Sequence, residues 1–420
     1  SDFNETLLKS LSNDSPSLVY NLSVPFPSYA LSLRNASKMP IPYIGQIHSL
    51  SSLNTLTILR HFAFNTTIGD GLIVPSESSK RICQDWIESW TQKPCHLSIQ
   101  TVPFGVNTSK FKPVSSHSKL KAQFDLPSSK TVVLSLARIN PKTKTDIFVT
   151  IQNFSQLLES CPDAFLWVVG ESTNKDYLKF LTDYIKDKTL EDSIQIETNV
   201  DHDSIETYMQ ASDIFLSMSD HFSENFGISP IEGMACGLPV ILTDIAGQSD
   251  HIQNGDQGFV IPTLGAHPSS ELDALFNCSS SADFGDAMIQ SIAYDNQLFR
   301  ENLKRLIDSP SLRTKMGVSA RNTVLEKFSN QTMSKNYQKA FDNFIKNAPP
   351  KNRWTFPSLP FHDVTSKYSQ STTSILDATT LLTLSTYGKK IMKNEDSFYG
   401  METHLNRFPL IPSILNQLGN

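Results

Sequence analysis

The chain has 420 residues, with 36 Lys and Arg against 42 Asp and Glu, and a formal net charge of −6. This length permits two or three domains with buried cores, and 39% apolar with 19% charged residues fit a globular protein. The acidic balance offers no electrostatic basis for nucleic-acid binding, and no apolar run is long enough to predict a transmembrane helix.

The first 125 residues alternate between patterns typical of strands and of helices. Strands are predicted over 18–24, 42–48, 71–74 and 97–103, and helices over 29–37, 53–65 and 76–90. Ser76 is the predicted N-cap of the third helix. This alternation predicts a Rossmann-like domain over residues 1–125, built on a parallel sheet.

The alternation is clearer over residues 126–330, which we assign to a second Rossmann-like domain. Strands are predicted over 131–137, 164–169, 194–197, 213–218, 239–242 and 257–261, and helices over 146–160, 176–188, 203–211, about 282–307, 310–327 and 330–347. The strands are almost continuously apolar, which predicts helices on both faces of their sheet. Residues 331–350 are assigned to a closing helix that returns toward the first domain, and residues 351–420 to an extension of unknown role.

Two doubly wound sheets in series predict a cleft between them. In open α/β sheets, ligands bind beyond the carboxyl ends of the strands. Several predicted strands are followed at that end by a polar residue or a glycine, namely His48, Gly105, Arg138 and Glu224. These positions are therefore candidates for a binding site.

The stretch from Glu224 to Gly237 combines two carboxylates with a short predicted helix. It reads Glu-Asn-Phe-Gly-Ile-Ser-Pro-Ile-Glu-Gly-Met-Ala-Cys-Gly. Pro230 can open the helix and Gly237 can close it. A helix N-terminus reached through a glycine-containing loop favours an anion. Because Glu224 precedes that N-terminus and Glu232 lies inside the helix, the stretch suits a ligand with both phosphate and hydroxyl groups, such as a nucleotide sugar.

Residues 219–241 resemble the donor-site signature of the retaining glycosyltransferases of family four, which have the GT-B fold. The resemblance continues at 136–146, at 243–262, in the linker-like segment Val102-Pro-Phe-Gly-Val-Asn107 and in the helices of 312–329. It implies an α/β protein of the GT-B class, with two Rossmann-like, doubly wound domains that face a cleft. The first would be the acceptor-side domain, the second the donor domain that binds the nucleotide sugar, and a small C-terminal extension would follow.

The resemblance implies roles for the residues around the short helix. Glu224 would hydrogen-bond hydroxyls of the donor sugar, and Glu232 the ribose hydroxyls. Backbone amides around Phe226, Gly227 and Ile228 would hold the sugar and the phosphate. The implied donor-binding residues are Asn225, Phe226, Gly227, Ile228, Glu232 and Lys142. Without this context, Glu232 would be an ordinary solvated helix carboxylate.

A second implied group consists of cations and a histidine. Arg138 and Lys144 would bind the departing diphosphate, and His48 would face the donor sugar from the first domain. Many relatives have the lysine one position earlier, where this chain has Thr143, so Lys142 is an alternative to Lys144. The implied catalytic residues are His48, Arg138, Lys144 and Glu224.

The implied chemistry transfers a hexosyl-type sugar with retention of configuration at the anomeric carbon. Fixed cations and helix-end amides would stabilise the negative charge that develops on the diphosphate. We therefore expect neither a metal ion nor another cofactor. The run Asp201-His-Asp203 is similar to a metal-binding motif of another glycosyltransferase fold, but Asp203 with Glu206 three residues later favours helix capping.

The first domain is shorter than the resemblance implies, because the Gly-rich loop with which family members normally begin has no match in residues 1–16. The sequence is thus predicted to be N-terminally incomplete, degenerate, or completed by a second chain. A non-catalytic or split-enzyme subunit that binds a nucleotide sugar is one alternative, and a sugar-nucleotide epimerase of the same fold is another. The acceptor would be a glycan, a lipid or a protein, in cell-envelope or polysaccharide synthesis.

The cysteines and the N-terminus indicate the compartment. Five cysteines are scattered with no Cys-x-x-Cys pair, which favours free thiols in a reducing environment. The first residues, Ser-Asp-Phe-Asn-Glu-Thr, have neither the basic nor the apolar part of a secretory leader. We expect a cytoplasmic protein, with peripheral contact to a membrane as an open alternative.

Overall fold

The computed structural model describes residues 18–22, 41–48, 50, 53–66, 69–141, 145–198, 200–220, 224–245, 247–265 and 292–348. With the exception of Ile41, these residues belong to one compact unit that runs over 18–27 and 42–350. The predicted helix over 29–37, both Lys142 and Lys144, and the extension 351–420 lie outside the described residues.

The first sheet has four described strands, all parallel and in chain order. Its elements are β1 (Val19–Asn21), β2 (Tyr43–Gln46), α1 (Leu53–Asn65), β3 (Gly71–Val74), α2 (Glu77–Thr91) and β4 (Ser98–Thr101). The cap predicted at Ser76 is present, because its side chain accepts a hydrogen bond from the Ser79 amide. The four strands and the two helices that the sequence predicts here, outside 29–37, are confirmed.

The second sheet has six described strands, all parallel, in the order β10-β9-β8-β5-β6-β7. Its strands are β5 (Thr131–Leu136), β6 (Ala164–Val169), β7 (Ile194–Glu197), β8 (Ile214–Ser217), β9 (Val240–Thr243) and β10 (Gly258–Ile261). Its helices are α3 (His117–Gln123), α4 (Ile147–Leu158), α5 (Lys175–Asp187), α6 (Ile205–Gln210) and α7 (Ile228–Ala235). The strand order reverses between β5 and β8, so the sheet is doubly wound, and its ligand crevice is expected at this reversal.

Both faces of the second sheet are buried, as its continuous apolar strands predict. On β5, Val133 packs into one core cluster, whereas Val132 and Leu134 pack into the other. On β6, Leu166 belongs to the first cluster and Trp167 to the second. Neighbouring side chains of a strand point to opposite faces, so each face has its own apolar layer and its own helices.

Among the described residues, three helices follow the sheet: α8 (Asn296–Asp308), α9 (Pro310–Lys327) and α10 (Asn330–Lys346). The prediction of one helix over 282–307 is wrong at 292–295, where β12 (Ile292–Tyr294) pairs antiparallel with β11 (Thr263–Gly265). The helix begins only after Asp295, whose side chain accepts from the Leu298 amide and caps it. The short helix α3 is also absent from the predictions, since His-Ser-Lys-Leu-Lys-Ala-Gln has too few apolar residues to show a period.

Two segments cross side by side between the two halves of this unit. The first half is the part that contains the first sheet, and the second half is the part that contains the second sheet. The Val106 amide donates to the Phe328 carbonyl at 2.8 Å, and the Asn330 amide donates to the Val106 carbonyl at 3.2 Å. After this crossing, α10 packs Ala340 and Phe344 against the first sheet. The helix α10 therefore supplies one apolar layer of the first sheet. Among the described residues, no helix has the length and apolar character needed to cross a bilayer.

Candidate functional site

The short helix α7 begins at the carboxyl end of β8, beside the reversal of the second sheet. Gly227 is its N-cap, with φ +76°, so the helix starts two residues before Pro230, which the sequence suggested as the opening residue. Gly237 follows the helix with φ +83°, a left-handed conformation that favours glycine. Closure of the helix at Gly237 is thus confirmed.

Glu224 lies immediately in front of α7 and is only 9% exposed. Its carboxylate accepts a hydrogen bond from the Gly227 amide at 3.0 Å. Its backbone carbonyl accepts a second hydrogen bond from the Gly247 amide at 3.1 Å. The loop therefore holds Glu224 in one orientation at the helix N-terminus.

Asn225 connects this loop to the first half of the unit. Its side-chain amide donates to the backbone carbonyl of His48 at 3.2 Å. Its own carbonyl accepts from the Ser76 hydroxyl at 2.8 Å and from the Ser79 hydroxyl at 3.4 Å. The structure thereby brings Glu224, Asn225 and His48 together, although they are far apart in the sequence.

His48 is exposed and lies over an aromatic ring. Its ring stacks on Phe104, with centroids 5.6 Å apart and an interplanar angle of 14°. Its Nε2 lies 2.6 Å from the Leu22 carbonyl oxygen. A carbonyl oxygen only accepts, so Nε2 carries the hydrogen, and Nδ1 of the neutral ring is an acceptor.

Phe226 anchors the loop in a group of rings. It contacts Phe104, His251 and Phe328 with centroid separations of 5.0, 4.4 and 6.2 Å. His251 is 4% exposed and hydrogen-bonds the Phe226 carbonyl. Burial lowers the pKa of His251 to about 4, so this ring is neutral at pH 7. Ile228, in contrast, is 47% exposed at the first position of α7.

Glu232 is partly buried one turn into α7. Burial raises its pKa to about 7, the positive charge of Lys110 lowers it, and the negative charge of Glu206 raises it. Lys110 Nζ lies 3.3 Å from Glu206 Oε2 and donates to the Asp203 carbonyl at 2.8 Å. A carboxylate with this pKa gains its charge within the physiological pH range.

Arg138 follows β5, the strand that pairs with β8. Parallel neighbours end at the same edge, so Arg138 and Glu224 both leave the sheet at the reversal. The Arg138 side chain is exposed. Lys142, the alternative diphosphate ligand, and Lys144 lie outside the described residues, and the role of either lysine stays a prediction.

A buried carboxylate near this edge is absent from the sequence predictions. Asp220 follows β8, is 8% exposed, and accepts from the Asp146 amide at 3.0 Å. Burial, together with the negative charge of Asp146, raises the pKa of Asp220 to about 7. The Tyr177 hydroxyl donates to Asp146 Oδ1 at 2.5 Å. Because these residues come from three separate segments, no local motif in the sequence indicates the cluster.

The sequence predicts that Asp203 caps the helix in the segment before α6, and this prediction is wrong. Asp201, rather than Asp203, is the cap, since its side chain accepts from the Asp203 amide at 3.0 Å at the start of a short 3₁₀ turn. Within the described ranges, no group of three or more His, Cys, Asp or Glu side chains could hold a metal ion.

The loop after β9 supports the helix from the other side. Gln248 is fully buried; it accepts from the Ser217 hydroxyl at 3.0 Å and donates to the Thr243 carbonyl at 3.0 Å. At Gly247, a Cβ atom would lie 1.7 Å from the Asn225 carbonyl oxygen. This position therefore requires glycine, because the two loops meet backbone to backbone. The sequence resemblance includes this loop but assigns it no role.

Residues 116–269 match the family model of the glycosyl transferases group 1. This range contains α7, Arg138, both carboxylates of the motif and the whole second sheet. It does not include the first sheet or α10.

A curated relative with a similar sequence is the lipopolysaccharide core biosynthesis mannosyltransferase LpsB of Rhizobium meliloti (strain 1021). It is 29% identical over 156 residues, which are 36% of this chain and 42% of the relative. The match thus spans less than half of the relative's length.

Solved structures share the fold over most of the chain. A glycosyltransferase of Rickettsia africae ESF-5 has a TM-score of 0.61 and 19% identity, and covers 82% of this chain and 80% of its own. Anabaena HepE in complex with UDP has a TM-score of 0.59 and 16% identity, with 81% of each chain covered. The fold is therefore that of the GT-B glycosyltransferases, as the sequence predicts.

Proposed function

We propose that the chain is a glycosyltransferase that moves a hexosyl-type sugar from a nucleotide-diphosphate sugar to an acceptor with retention of configuration. The observation that carries the proposal is the arrangement around α7. Glu224 and Glu232 flank a helix N-terminus at the reversal of the second sheet, and Asn225 joins this loop to His48 of the first half. The family match over 116–269 and the GT-B fold support the same function.

The donor nucleotide is proposed to lie along α7. Glu232 would accept hydrogen bonds from the two ribose hydroxyls, which requires the carboxylate form. Amides in the first turn of a helix have no acceptor within it, so those at Ile228 and beyond suit an anionic phosphate. HepE holds UDP in its solved complex, which makes UDP the first nucleotide to test on this chain.

The leaving diphosphate is proposed to face Arg138. The bond between the anomeric carbon and the diphosphate oxygen breaks, and its electron pair stays on that oxygen. The anomeric carbon bonds to a hydroxyl oxygen of the acceptor, whose proton passes to the departing diphosphate. A guanidinium at the end of β5 stabilises this charge more in the transition state than in the ground state. Lys142 or Lys144 would add a second cation, and the family chemistry then requires no metal ion.

The donor sugar is proposed to lie between Glu224 and His48. The hydrogen bond from Nε2 of His48 to the Leu22 carbonyl leaves Nδ1 as the acceptor, so a sugar hydroxyl can donate to it. The Glu224 carboxylate, which the bond from the Gly227 amide orients, is proposed to accept hydrogen bonds from sugar hydroxyls. Since Asn225 links the two residues, their separation depends on the contact between the two halves.

The acceptor is proposed to be a glycan, lipid or protein that enters from the first half. LpsB, the relative described above, is a lipopolysaccharide core mannosyltransferase, which supports a role in cell-envelope or polysaccharide synthesis. The mannosyl transfer of LpsB makes GDP-mannose one donor to test, and the solved complex of HepE with UDP-glucose makes UDP-glucose another.

The test uses the full chain with UDP, GDP and the donors UDP-glucose, UDP-N-acetylglucosamine and GDP-mannose. Binding is measured by calorimetry, and nucleoside diphosphate release and the anomeric configuration of the product by NMR. Arg138→Ala is expected to lower turnover by about 10²-fold, whereas Arg60→Ala, at an exposed position of α1, is the matched control. Unchanged turnover in Arg138→Ala would contradict the assigned role.

The remaining outcomes separate the alternatives. Donor binding that depends on Glu232, without turnover by the isolated chain, would favour a split or non-catalytic subunit. Release of an epimerised sugar without an acceptor would favour an epimerase. A transferred sugar with inverted configuration would contradict the retaining mechanism.

A further inference from the structure

The N-terminus of α2 is capped by a residue from the other half of the unit. The Ser78 amide donates to Asp250 Oδ2 at 2.8 Å, and the Ser78 hydroxyl donates to Asp250 Oδ1 at 3.0 Å. Ser78 is the second residue of a 15-residue helix, so its amide has no acceptor within the helix. A carboxylate at this place also interacts favourably with the helix dipole.

The same turn of α2 contacts the donor loop in front of α7. Ser76 and Ser79 are 3% and 1% exposed, and both hydroxyls point at the Asn225 carbonyl oxygen. We name these contacts of Ser76, Ser78 and Ser79 with Asn225 and Asp250 the α2 clasp. It fixes the residue that follows Glu224.

The segments of the α2 clasp pack tightly at Gly247. A Cβ atom at Gly247 would lie 1.7 Å from the Asn225 carbonyl oxygen and 2.5 Å from Ser76 Oγ. Three segments therefore meet at one point: the start of α2, the donor loop and the loop after β9. A shift of α2 must displace the Asn225 carbonyl or break its hydrogen bonds.

An alternative reading is a simple surface ion pair between Arg81 and Asp250. The guanidinium lies 3.8 Å from Asp250 Oδ1, and its side chain is 65% exposed. Exposed pairs at such a distance contribute little. Both hydrogen bonds from Ser78 to Asp250 are short, and one of them comes from a backbone amide of the first helical turn. The cap is therefore the main interaction of Asp250.

We propose that Ser78 and Asp250 are positioning residues for the transfer step, an inference that rests on the proposed function. Their contact holds the first half against the donor loop. Asn225, which the α2 clasp fixes through its carbonyl, donates to the His48 carbonyl, so His48 keeps its place relative to Glu224. Nucleotide binding along α7, through Glu232 and the amides from Ile228 onward, is proposed to use neither Ser78 nor Asp250.

The kinetic test compares Asp250→Ala, Asp250→Asn, Ser78→Ala and the Ser78→Ala/Asp250→Ala double variant. Asp250→Ala is expected to lower kcat by about tenfold or more, with the Kd for UDP within about twofold of wild type. Asp250→Asn keeps one acceptor oxygen and should recover part of kcat. The double variant should be no slower than Asp250→Ala, because both changes remove one contact.

Two control variants test the specificity of this effect. Glu77→Ala, in the same turn, removes a side chain that is 57% exposed and pairs with Lys80 at 3.9 Å. Arg81→Gln removes the ion pair and the hydrogen bond from Arg81 Nη2 to Ser78 Oγ at 2.8 Å, and leaves both bonds from Ser78 to Asp250. Both should keep kcat within about twofold of wild type. The inference would be overturned if Asp250→Ala had the same kcat as these controls. A loss of UDP affinity as large as the loss of kcat would overturn it as well.

A second measurement keeps the inference testable if no donor is turned over. Hydrogen exchange of the unliganded full chain reports protection of peptides that cover residues 76–83 and 224–228. Asp250→Ala should accelerate exchange in both peptides, since the α2 clasp couples them, while peptides in β5 and β6 stay protected. Faster exchange in 76–83 alone would show that the cap is local and overturn the coupling to the donor loop.

Discussion

Removal of the Glu232 carboxylate tests the electrostatics of the site most directly. The pKa of this group rises from its ordinary value of 4.5 to about 7 because of burial. Between these two values the folded chain holds a proton that the unfolded chain has released. The free energy of unfolding therefore decreases as pH rises from 4.5 to 7. Above pH 7, the stability that the bound proton provides is lost.

The magnitude follows from the size of this change. At about 1.4 kcal/mol for each pH unit, the contribution reaches about 3 kcal/mol, and partial exposure reduces it to roughly 2 kcal/mol. Glu232→Gln keeps the size of the side chain and cannot ionise. The free energy of unfolding of Glu232→Gln minus that of wild type should therefore be roughly 2 kcal/mol larger at pH 7.5 than at pH 4.5.

The assay is urea unfolding of both proteins at several pH values, followed by circular dichroism. Glu301→Gln, at an exposed position of α8, controls for the loss of one carboxylate. If the difference in free energy of unfolding between Glu232→Gln and wild type stays constant from pH 4.5 to 7.5, the raised pKa of Glu232 is refuted. UDP binding gives a second reading: wild-type affinity should increase as pH rises through about 7, because ribose hydroxyls need the carboxylate, and Glu232→Gln should show no such increase.

Three further changes have expected outcomes of different kinds. Gly247→Ala places a methyl group 1.7 Å from the Asn225 carbonyl oxygen and should lower donor turnover by about 10²-fold, measured beside UDP affinity. Asp213→Ala removes the partner of the buried Lys121 ammonium at 2.7 Å and should cost about 3–5 kcal/mol in urea unfolding. Burial opposes ionisation of Asp213, but hydrogen bonds from His117 and Lys121 hold its pKa at about 2. The cost should therefore shrink as pH falls from 4 to 2. Trp167→Ala empties a fully buried position that contacts Phe124 and Tyr208 and should cost about 3–5 kcal/mol, whereas a cost under about 1 kcal/mol would show that the core can close over the gap.

The strands and most helices could be predicted because local patterns determine them. Apolar runs of four and six residues predict β3 and β6, and β5 is apolar except for Thr131 and Ser135. Ser76 predicts the start of α2 because its side chain can cap a helix. The pair β11 and β12 could not be predicted, since neither three-residue strand exists without the other. The helix α3 shows no apolar period and depends on contacts with α6.

The sequence predicts the separate motifs of the candidate site, but it does not predict the hydrogen bonds that join them. The short helix, its two flanking carboxylates and Arg138 are visible as spacing after predicted strands. Asn225 was assigned to donor binding through the family resemblance, but its bonds to His48 and Ser76 join positions more than 140 residues apart. Asp220 and Asp250 were missed for the same reason, because each acquires its environment from another segment.

The amino-acid sequence alone determined the α/β class, the order of the elements and the motif around Glu224 and Glu232. These features depend on hydrophobic period, capping residues and glycine positions, which act over a few neighbouring residues. Tertiary structure alone decided the pKa of Glu232, the tautomer of His48 and the cap that Asp250 gives to α2. Burial, a distant carbonyl and a helix from the other half set these properties, and each is created only when separate segments pack together.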